Sequence, residues 1–214
     1  MKKVIVFDLG GTLMEFRGMP PVWIDYYKAG FDSVNANFNL DLTDSDIDNS
    51  VQIMKSYNPR VNYREKEIAP YDIFREATAD WNKGTDIDSI IESFFAGINL
   101  DTVIYDYSFE LLEKYKSDGY SIACLTDLPS GMPDYIFREP LAELIDKLNL
   151  YVSSQSCGYR KPNKFGLQYI ADYFNADIKD IMFIGDEEKD KQAAQNAGCK
   201  FMFIEELLES VSRC

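Results

Sequence analysis

Short, nearly continuous hydrophobic runs open the chain and recur through its second half. Each is four or five residues long and rich in β-branched or aromatic side chains. This pattern is typical of strands that are buried on both faces of a parallel sheet. The five runs are Lys3–Phe7, Ser121–Leu125, Leu150–Ser153, Ile181–Ile184 and Lys200–Ile204.

Amphipathic segments with helical spacing lie before and between the later runs. They are Tyr107–Tyr115, Pro140–Leu148, Asn163–Phe174 and Glu188–Ala197. Gly119 and Gly198 follow the first and the last of these segments, and glycine is common just after the end of a helix. Strands that alternate with helices predict an α/β fold, with a Rossmann-like, doubly wound parallel sheet.

Residues 15 to about 100 have a different pattern, in which apolar positions repeat at helical spacing and no strand is expected. The four predicted helices are Pro21–Asn37, Asp44–Tyr57, Pro70–Trp81 and Asp86–Ala96. Thr43 and Asp46 have the spacing of a capping box at the start of the second helix. The sequence therefore predicts an α/β core of residues 1–14 and 97–214, interrupted by an all-helical insert of residues 15–96.

The charge balance restricts the classes of partner. The chain has 22 Lys and Arg residues against 36 Asp and Glu residues, which gives a formal net charge of −14. A field of this sign repels nucleic-acid phosphates and anionic membrane surfaces, so neither is an expected partner. A small anionic substrate would need a local source of positive charge.

Cysteine and histidine usage excludes several kinds of site. The four cysteines form no C-x-x-C pair, so neither a zinc site nor a disulfide framework is expected. The sequence contains no histidine, which removes every Ser-His and Cys-His mechanism. The first apolar run is too short for a signal peptide and no stretch is long enough for a membrane span, so a cytoplasmic location is expected.

Three polar residues come directly at the ends of predicted strands: Asp8, Thr126 and Asp186. Because the carboxyl ends of adjacent parallel strands meet at one crevice, these side chains are expected to lie close together. The alternative for each residue taken alone is that it caps the helix that follows. Two carboxylates and a hydroxyl at one crevice favour a functional site over three independent caps.

Four short motifs accompany these strand ends. They are FDLGGTL at Phe7–Leu13, LTD at Leu125–Asp127, GYRKP at Gly158–Pro162 and GDEEKD at Gly185–Asp190. In order and in context they resemble the four motifs of the haloacid dehalogenase superfamily of hydrolases. The resemblance covers residues 1–13 and about 101–205, and the helical insert is similar in position and character to the C1 cap of that superfamily.

The resemblance implies Mg²⁺-dependent hydrolysis of a small phosphorylated metabolite through an aspartyl phosphate on Asp8. The catalytic residues that it implies are Asp8, Thr126 and Lys161. The substrate-binding residues that it implies are Gly11, Thr126, Asp127 and Lys161, and the metal ligands are Asp8, Gly10, Asp186 and Asp190. Carboxylate oxygens are ligands that Mg²⁺ prefers, and a lysine offsets the crowded negative charge. Asp190 has the alternative role of capping its own helix.

Gly10 departs from the family pattern, because phosphatases of the superfamily usually have an Asp there that acts as general acid and base. Glycine keeps the backbone carbonyl, so metal binding can survive, but proton transfer from a side chain at this position cannot. A positioned acid or base contributes about 10²–10⁴-fold in rate. Asp127, Glu15 and Glu187 are candidate replacements. Asp127 is preferred because it follows Thr126 directly, and its alternative is a solvated turn residue.

Two other functions stay open from the sequence. One is a phosphate-binding pseudoenzyme that has lost turnover together with the missing acid. The other is a metal-independent dehalogenase, since dehalogenation also needs no acid at position 10. The retention of both Asp186 and Asp190 favours phosphoryl chemistry over dehalogenation.

The helical insert carries a basic cluster consisting of Lys55, Arg60, Arg64 and Lys66. Such a cluster is able to attract a phosphorylated ligand to an otherwise acidic chain. The interleaved Glu65 and Glu67 favour the alternative, an exposed salt-bridged loop. Arg17 lies just past the first motif and is a further candidate for substrate contact.

Overall fold

The computed structural model describes residues 3–18, 26–81 and 84–212. Its main feature is a five-stranded parallel sheet in the order β5-β4-β1-β6-β7. The strands are β1 (Val4–Phe7), β4 (Ser121–Thr126), β5 (Leu150–Ser153), β6 (Ile181–Gly185) and β7 (Lys200–Phe203). Each differs from its predicted run by at most one residue at either end. The predicted α/β class with a parallel, Rossmann-like sheet is confirmed.

The central strand β1 is buried on both faces, which explains its unbroken apolar sequence. Successive side chains of a strand point to opposite faces. Val4 and Val6 therefore pack in one apolar layer, whereas Ile5 and Phe7 pack in the other. In register, Val4 pairs with Ser121 of β4 on one side and with Ile181 of β6 on the other. The following residue, Asp8, is thus fixed between two neighbouring strand ends.

A second, two-stranded antiparallel sheet corrects the sequence prediction. It joins β2 (Met14–Arg17) to β3 (Asp101–Ile104), with Met14 opposite Ile104. No strand was expected between residue 15 and about residue 100, and β2 contradicts that expectation. Four residues with a single alternation are too short to be distinguished from a loop, and the partner strand lies far away in sequence. The pairing of β2 with β3 brings the beginning and the end of the helical region next to each other.

Helices cover both faces of the main sheet. They are α5 (Tyr107–Ser117), α6 (Asp134–Arg138), α7 (Ala142–Ile145), α8 (Ser154–Cys157), α9 (Phe165–Phe174), α10 (Glu188–Ala197) and α11 (Ile204–Ser212). The single helix that was predicted over Pro140–Leu148 is wrong in part. A 3₁₀ turn at Glu139–Leu141 precedes α7, which ends at Ile145. Gly198 ends α10 with a positive φ, as predicted.

Between β2 and β3 lie four helices: α1 (Tyr27–Phe38), α2 (Asp44–Ser56), α3 (Pro70–Ala77) and α4 (Ile87–Ile98). Of the first predicted helix, Pro21–Asn37, residues 21–25 lie outside the described residues. Phe31 of α1 and Phe74 of α3 both pack against Phe94 of α4, with ring centroids 4.8 and 5.0 Å away. The capping box of Thr43 and Asp46 is confirmed at the start of α2. The division into a core and a cap at residues 15–96 stays a prediction.

Helix length and composition bear on membrane association. Within the described ranges, no helix is both long enough and apolar enough to cross a membrane.

Candidate active site

The three strand-end residues meet in one place. Asp8 follows β1, Thr126 ends β4, and Asp186 follows β6, and these strands are neighbours in the sheet. All three residues line a cavity of about 610 Å³. The cavity lies between the carboxyl ends of the strands and the helical region, because it is also lined by Tyr27 of α1 and by Arg64. The structure thus brings Asp8, Thr126 and Asp186 together at one cavity.

Lys161 lies between two buried carboxylates at the bottom of this cavity. Its Nζ is 2.8 Å from Oδ2 of Asp8 and 2.7 Å from Oδ1 of Asp190. The other oxygen of Asp8 accepts the backbone N–H of Leu9 at 2.8 Å. Asp190 also accepts the N–H of Glu187 at 3.0 Å, so it caps α10 and contacts Lys161 at the same time. We refer to Asp8, Lys161, Asp186 and Asp190 as the acidic cluster.

Burial and mutual charge perturb every member of the acidic cluster. Burial raises the pKa of Asp8 to about 7, although the charge of Lys161 opposes this shift. Burial alone would lower the pKa of Lys161, but the charges of Asp190 and Asp8 raise it above its ordinary value. For Asp190, burial is outweighed by Lys161, which lowers the pKa of that carboxyl. Burial and the charge of Asp190 raise the pKa of Asp186. One lysine therefore does not neutralise the three carboxylates.

Asp186 is held against the first motif, and this contact explains why Gly11 is a glycine. Gly11 has a φ of +75°, and a Cβ there would lie 2.1 Å from Oδ2 of Asp186. The hydroxyl of Thr12 donates to Oδ1 of Asp186 at 3.3 Å. Gly185 has a similar role next to Asp190, since a Cβ at Gly185 would lie 2.5 Å from Oδ2 of Asp190. The glycines let two carboxylates approach the backbone.

The acidic cluster has the donor set of a site for a hard divalent cation. Oxygen atoms of Asp8, Asp186 and Asp190 all lie within 4.8 Å of one another. Carboxylate oxygens at such spacing suit Mg²⁺, which takes one or two carboxylates together with water and substrate oxygens. Gly10 lines the same cavity, and a Cβ at Gly10 would meet no atom within 4 Å. The residues therefore fit the metal.

A second set of charges lies at the rim of the cavity. Asp127 accepts the backbone N–H of Lys161 at 3.0 Å and lies 3.8 Å from Nζ of Lys189. Its side chain is only 7% exposed, so the alternative of a solvated turn residue is wrong. Glu187 pairs with Lys189 at 2.6 Å and with Arg60 at 3.0 Å. These two cations lower the pKa of Glu187 against the opposing effect of burial, which keeps it ionised.

Of the basic residues singled out from the sequence, the structure places some in the cavity wall and others outside it. Arg17 lies in β2, is 62% exposed and pairs with Glu15 at 3.6 Å. Unlike Arg60 and Arg64, it does not contribute to the cavity wall in the described part of the chain, so its expected substrate contact is not supported. Lys55 is likewise not part of this wall, and Lys66 forms an isolated β-bridge with Tyr159.

The sequence reasoning missed a second buried ionic group, which we call the arginine cluster: Arg64, Arg160 and Glu67. Glu67 accepts from Arg64 at 3.2 Å through Oε1 and from Arg160 through Oε2. The side chains of all three are 14% exposed or less. The position of Arg160 beside Lys161 in the third motif was the only signal, because the burial of an arginine is not visible in a sequence.

Comparison with known proteins agrees with the fold and identifies the family. The family model of the haloacid dehalogenase-like hydrolases matches residues 2–198. The chain belongs to the haloacid dehalogenase-like hydrolase family and is an enzyme of that class.

Three individual relatives share a quarter or less of their aligned residues with this chain. The chain is 25% identical over 198 residues to a phosphoglycolate phosphatase of Aliivibrio fischeri. The aligned residues cover 92% of this chain and 81% of that protein. A predicted phosphoglycolate phosphatase of Haemophilus somnus superposes with a TM-score of 0.54 at 21% identity, over 94% of this chain and 84% of that one. A hydrolase of the superfamily from Geobacter sulfurreducens superposes with a TM-score of 0.52 at 17% identity, over 94% and 88% of the two chains. The two structural likenesses establish the fold alone.

Proposed function

We propose that the protein is a Mg²⁺-dependent phosphatase that hydrolyses a small phosphomonoester through an aspartyl phosphate on Asp8. The observation that carries this proposal is the acidic cluster, in which a buried nucleophile candidate, a lysine and two further carboxylates converge at the carboxyl ends of β1 and β6. The relatives named phosphoglycolate phosphatase support the phosphomonoester class.

In this proposal each residue has a distinct role. A carboxylate oxygen of Asp8 attacks phosphorus, the ester oxygen leaves with the bonding electron pair, and water then hydrolyses the aspartyl phosphate. Lys161, the hydroxyl of Thr126 and the backbone at Gly11 hold the phosphoryl oxygens. Asp186, Asp190, Asp8 and the carbonyl of Gly10 hold the metal. A bound Mg²⁺ supplies charge neutralisation between the carboxylates and the incoming phosphate. The four helices α1–α4 act as a cap that covers the cavity and excludes water.

The leaving group needs a proton, and Gly10 has no side chain that could supply it. Asp127 stays the preferred candidate among the residues that line the cavity. Glu187 is disfavoured, because its lowered pKa keeps it ionised. Glu15 also lines the cavity, but its side chain is 42% exposed and pairs with Arg17 at 3.6 Å. Without an efficient acid, the enzyme should prefer phosphates with good leaving groups.

The first test is the Asp8→Asn variant, assayed with p-nitrophenyl phosphate and with alkyl phosphates in the presence and absence of Mg²⁺. We expect the wild type to need Mg²⁺ and the variant to lose turnover by about 10⁴-fold or more, because the nucleophile is gone. Asp32→Asn, an exposed residue of α1 paired with Lys28, is the matched control. Binding of phosphate esters without any turnover by the wild type would instead support the pseudoenzyme, and metal-independent release of halide would support the dehalogenase.

The second test concerns the missing acid. Because a Cβ at Gly10 meets no atom within 4 Å and its φ is not left-handed, Gly10→Asp should fold. We expect the rate with alkyl phosphates to rise by about 10-fold to 100-fold, within the range of a positioned acid, and the rate with p-nitrophenyl phosphate to change little. Gly84→Asp, at an exposed glycine with equally open surroundings, is the control. An unchanged or lower rate with alkyl phosphates would contradict the missing-acid account.

A further inference from the structure

The arginine cluster contains one more positive charge than negative charge. Arg64 and Arg160 share the single carboxylate of Glu67. Burial, followed by the charge of Arg160, lowers the pKa of Arg64. Arginine nevertheless stays protonated in proteins, so two buried guanidinium groups repel each other across one counterion. The cluster thus carries a net charge of +1.

This excess charge faces the cavity. Arg64 and Arg160 line the same cavity as Asp8, whereas Glu67 does not contribute to that wall in the described part of the chain. Glu67 lies behind the arginines, where its carboxylate also accepts from the hydroxyl of Ser154 and from the backbone N–H of Ile68. Both oxygens of this carboxylate therefore already accept hydrogen bonds, and one carboxylate cannot neutralise two arginines.

Two hydroxyl groups surround the arginines on the cavity side. Ser130 accepts from Nη2 of Arg64 at 3.3 Å and is itself buried. The hydroxyl of Tyr27 accepts from Asn58 at 3.3 Å, which leaves its own proton for an acceptor in the cavity. The charges of Arg64 and Arg160 lower the pKa of Tyr27 against a larger raising effect of burial, so both guanidinium groups lie near this hydroxyl. Nε of Arg64 has no acceptor among the described residues.

We propose that Arg64, supported by Arg160 and Tyr27, is a specificity-determining residue that binds a carboxylate on the leaving group of the substrate. The inference rests on the proposed function and deepens it. The phosphoryl group would lie at the acidic cluster with the metal, and the carboxylate would extend along the cavity to the arginine cluster. Nη2 of Arg64 donates to Glu67 and Ser130, and Nη1 donates to the carbonyl of Tyr57. Nε, which has no acceptor among the described residues, is the donor left for a charge-assisted hydrogen bond to the carboxylate.

A purely structural role is the competing explanation. Segment 64–67 is joined to the loop that carries the third motif, since Arg160 N–H donates to the carbonyl of Glu65 at 2.7 Å and Glu67 N–H donates to that of Gly158 at 3.0 Å. Arg160 also donates to the carbonyl of Leu128 at 2.8 Å. Arg160 is therefore needed for this junction. Arg64 donates instead to the carbonyl of Tyr57, within its own segment between α2 and α3, so the test uses Arg64.

The experiment compares two esters that differ only in charge at the far end: 2-phosphoglycolate and its neutral amide, phosphoglycolamide. The kcat/KM of each is measured with Mg²⁺ for the wild type, Arg64→Gln and Arg64→Lys. We expect the wild type to prefer the acid by about 10-fold to 100-fold, the range of a hydrogen-bonded charged group. Arg64→Gln should lose this preference through a higher KM for the acid, with the amide unaffected, and Arg64→Lys should retain part of it.

The controls separate specificity from folding. Arg75→Gln removes an exposed arginine of α3 that pairs with Asp72 and is not part of the cavity wall, and it should keep the wild-type preference. If Arg64→Gln lowers kcat/KM equally for acid and amide, or if the wild type does not distinguish them, the inference is overturned.

A binding measurement keeps the inference independent of turnover. Calorimetry with the Asp8→Asn variant and Mg²⁺ gives the affinity of both esters without reaction. If the wild type hydrolyses neither ester nor p-nitrophenyl phosphate, the proposed function fails, yet tighter binding of the acid that disappears on adding Arg64→Gln still supports the carboxylate site. Equal binding of acid and amide would overturn it even if both esters are hydrolysed.

Discussion

The acidic cluster and the arginine cluster are two ionic groups that contribute to the wall of one cavity, and they have opposite signs. In the first, Lys161 is shared by Asp8 and Asp190 at 2.8 and 2.7 Å. In the second, Glu67 is shared by Arg64 and Arg160. Each group has too few counterions: one lysine faces three carboxylates in the acidic cluster, whereas one carboxylate faces two guanidinium groups in the arginine cluster.

The comparison shows how a strongly acidic chain can prepare a site for an anion. A buried charge without a full partner lowers stability, so such an arrangement persists where a ligand completes it. The acidic cluster is suited to a cation and the arginine cluster to an anion. A metal-bound phosphate ester with a distal carboxylate would satisfy both at once, despite a net charge of −14 for the whole chain.

Removal of the shared counterion in the arginine cluster is expected to have the largest effect. Glu67→Gln leaves two buried guanidinium groups without a carboxylate, so the free energy of unfolding should fall by about 3–5 kcal/mol. Glu188→Gln, at a residue that is 59% exposed and 3.6 Å from Lys191, should change it by less than about 1 kcal/mol. Urea denaturation of both variants measures the difference. A loss below about 1 kcal/mol for Glu67→Gln would mean that the two arginines do not depend on their shared carboxylate.

The corresponding change in the acidic cluster should affect activity more than stability when Mg²⁺ is present. Lys161→Met removes the cation that offsets Asp8 and Asp190, and kcat/KM should fall by about 10²–10³-fold, as for the loss of one electrostatic donor. Lys191→Met, which is partly exposed, is the matched control. If Lys161→Met kept nearly full activity, the phosphate contact assigned to this lysine would be wrong.

The two clusters also differ in how much of them the sequence predicts. Asp8 and Asp186 of the acidic cluster follow apolar strands, and a parallel sheet brings the carboxyl ends of its strands together. Asp8, Thr126 and Asp186 can therefore be grouped from the sequence alone. The arginine cluster joins residue 160 to a loop between α2 and α3, and no periodicity connects those segments. Arg60 and Arg64 lie four positions apart with the same local composition, yet the side chain of Arg64 is only 14% exposed and that of Arg60 is 63% exposed.

In the fold, too, the sequence predicts elements with a local pattern better than elements that depend on distant partners. The nearly continuous apolar runs located the five main strands within one residue. The short pair β2 and β3 was missed, since its pairing joins residues 14–17 to residues 101–104 across the whole helical region. The break before α7 was missed because a proline is typical of the first turn of an α-helix, whereas Pro140 lies within a 3₁₀ turn. Short elements whose stability comes from distant partners carry little local signal.

The smallest expected effect is the pH dependence of metal binding at the acidic cluster. Burial raises the pKa of Asp8 to about 7, so near neutral pH this carboxyl is partly protonated before a cation binds. A ligand carboxyl must lose its proton to bind metal, so affinity should decrease as the pH falls. With a pKa of about 7, the dissociation constant for Mg²⁺ should rise by about tenfold between pH 8 and pH 6. Calorimetry in buffers of different ionisation enthalpy measures both the affinity and the proton released. Asp8→Asn should bind Mg²⁺ more weakly and with a smaller pH dependence, and an equally steep dependence in that variant would assign the titrating group elsewhere.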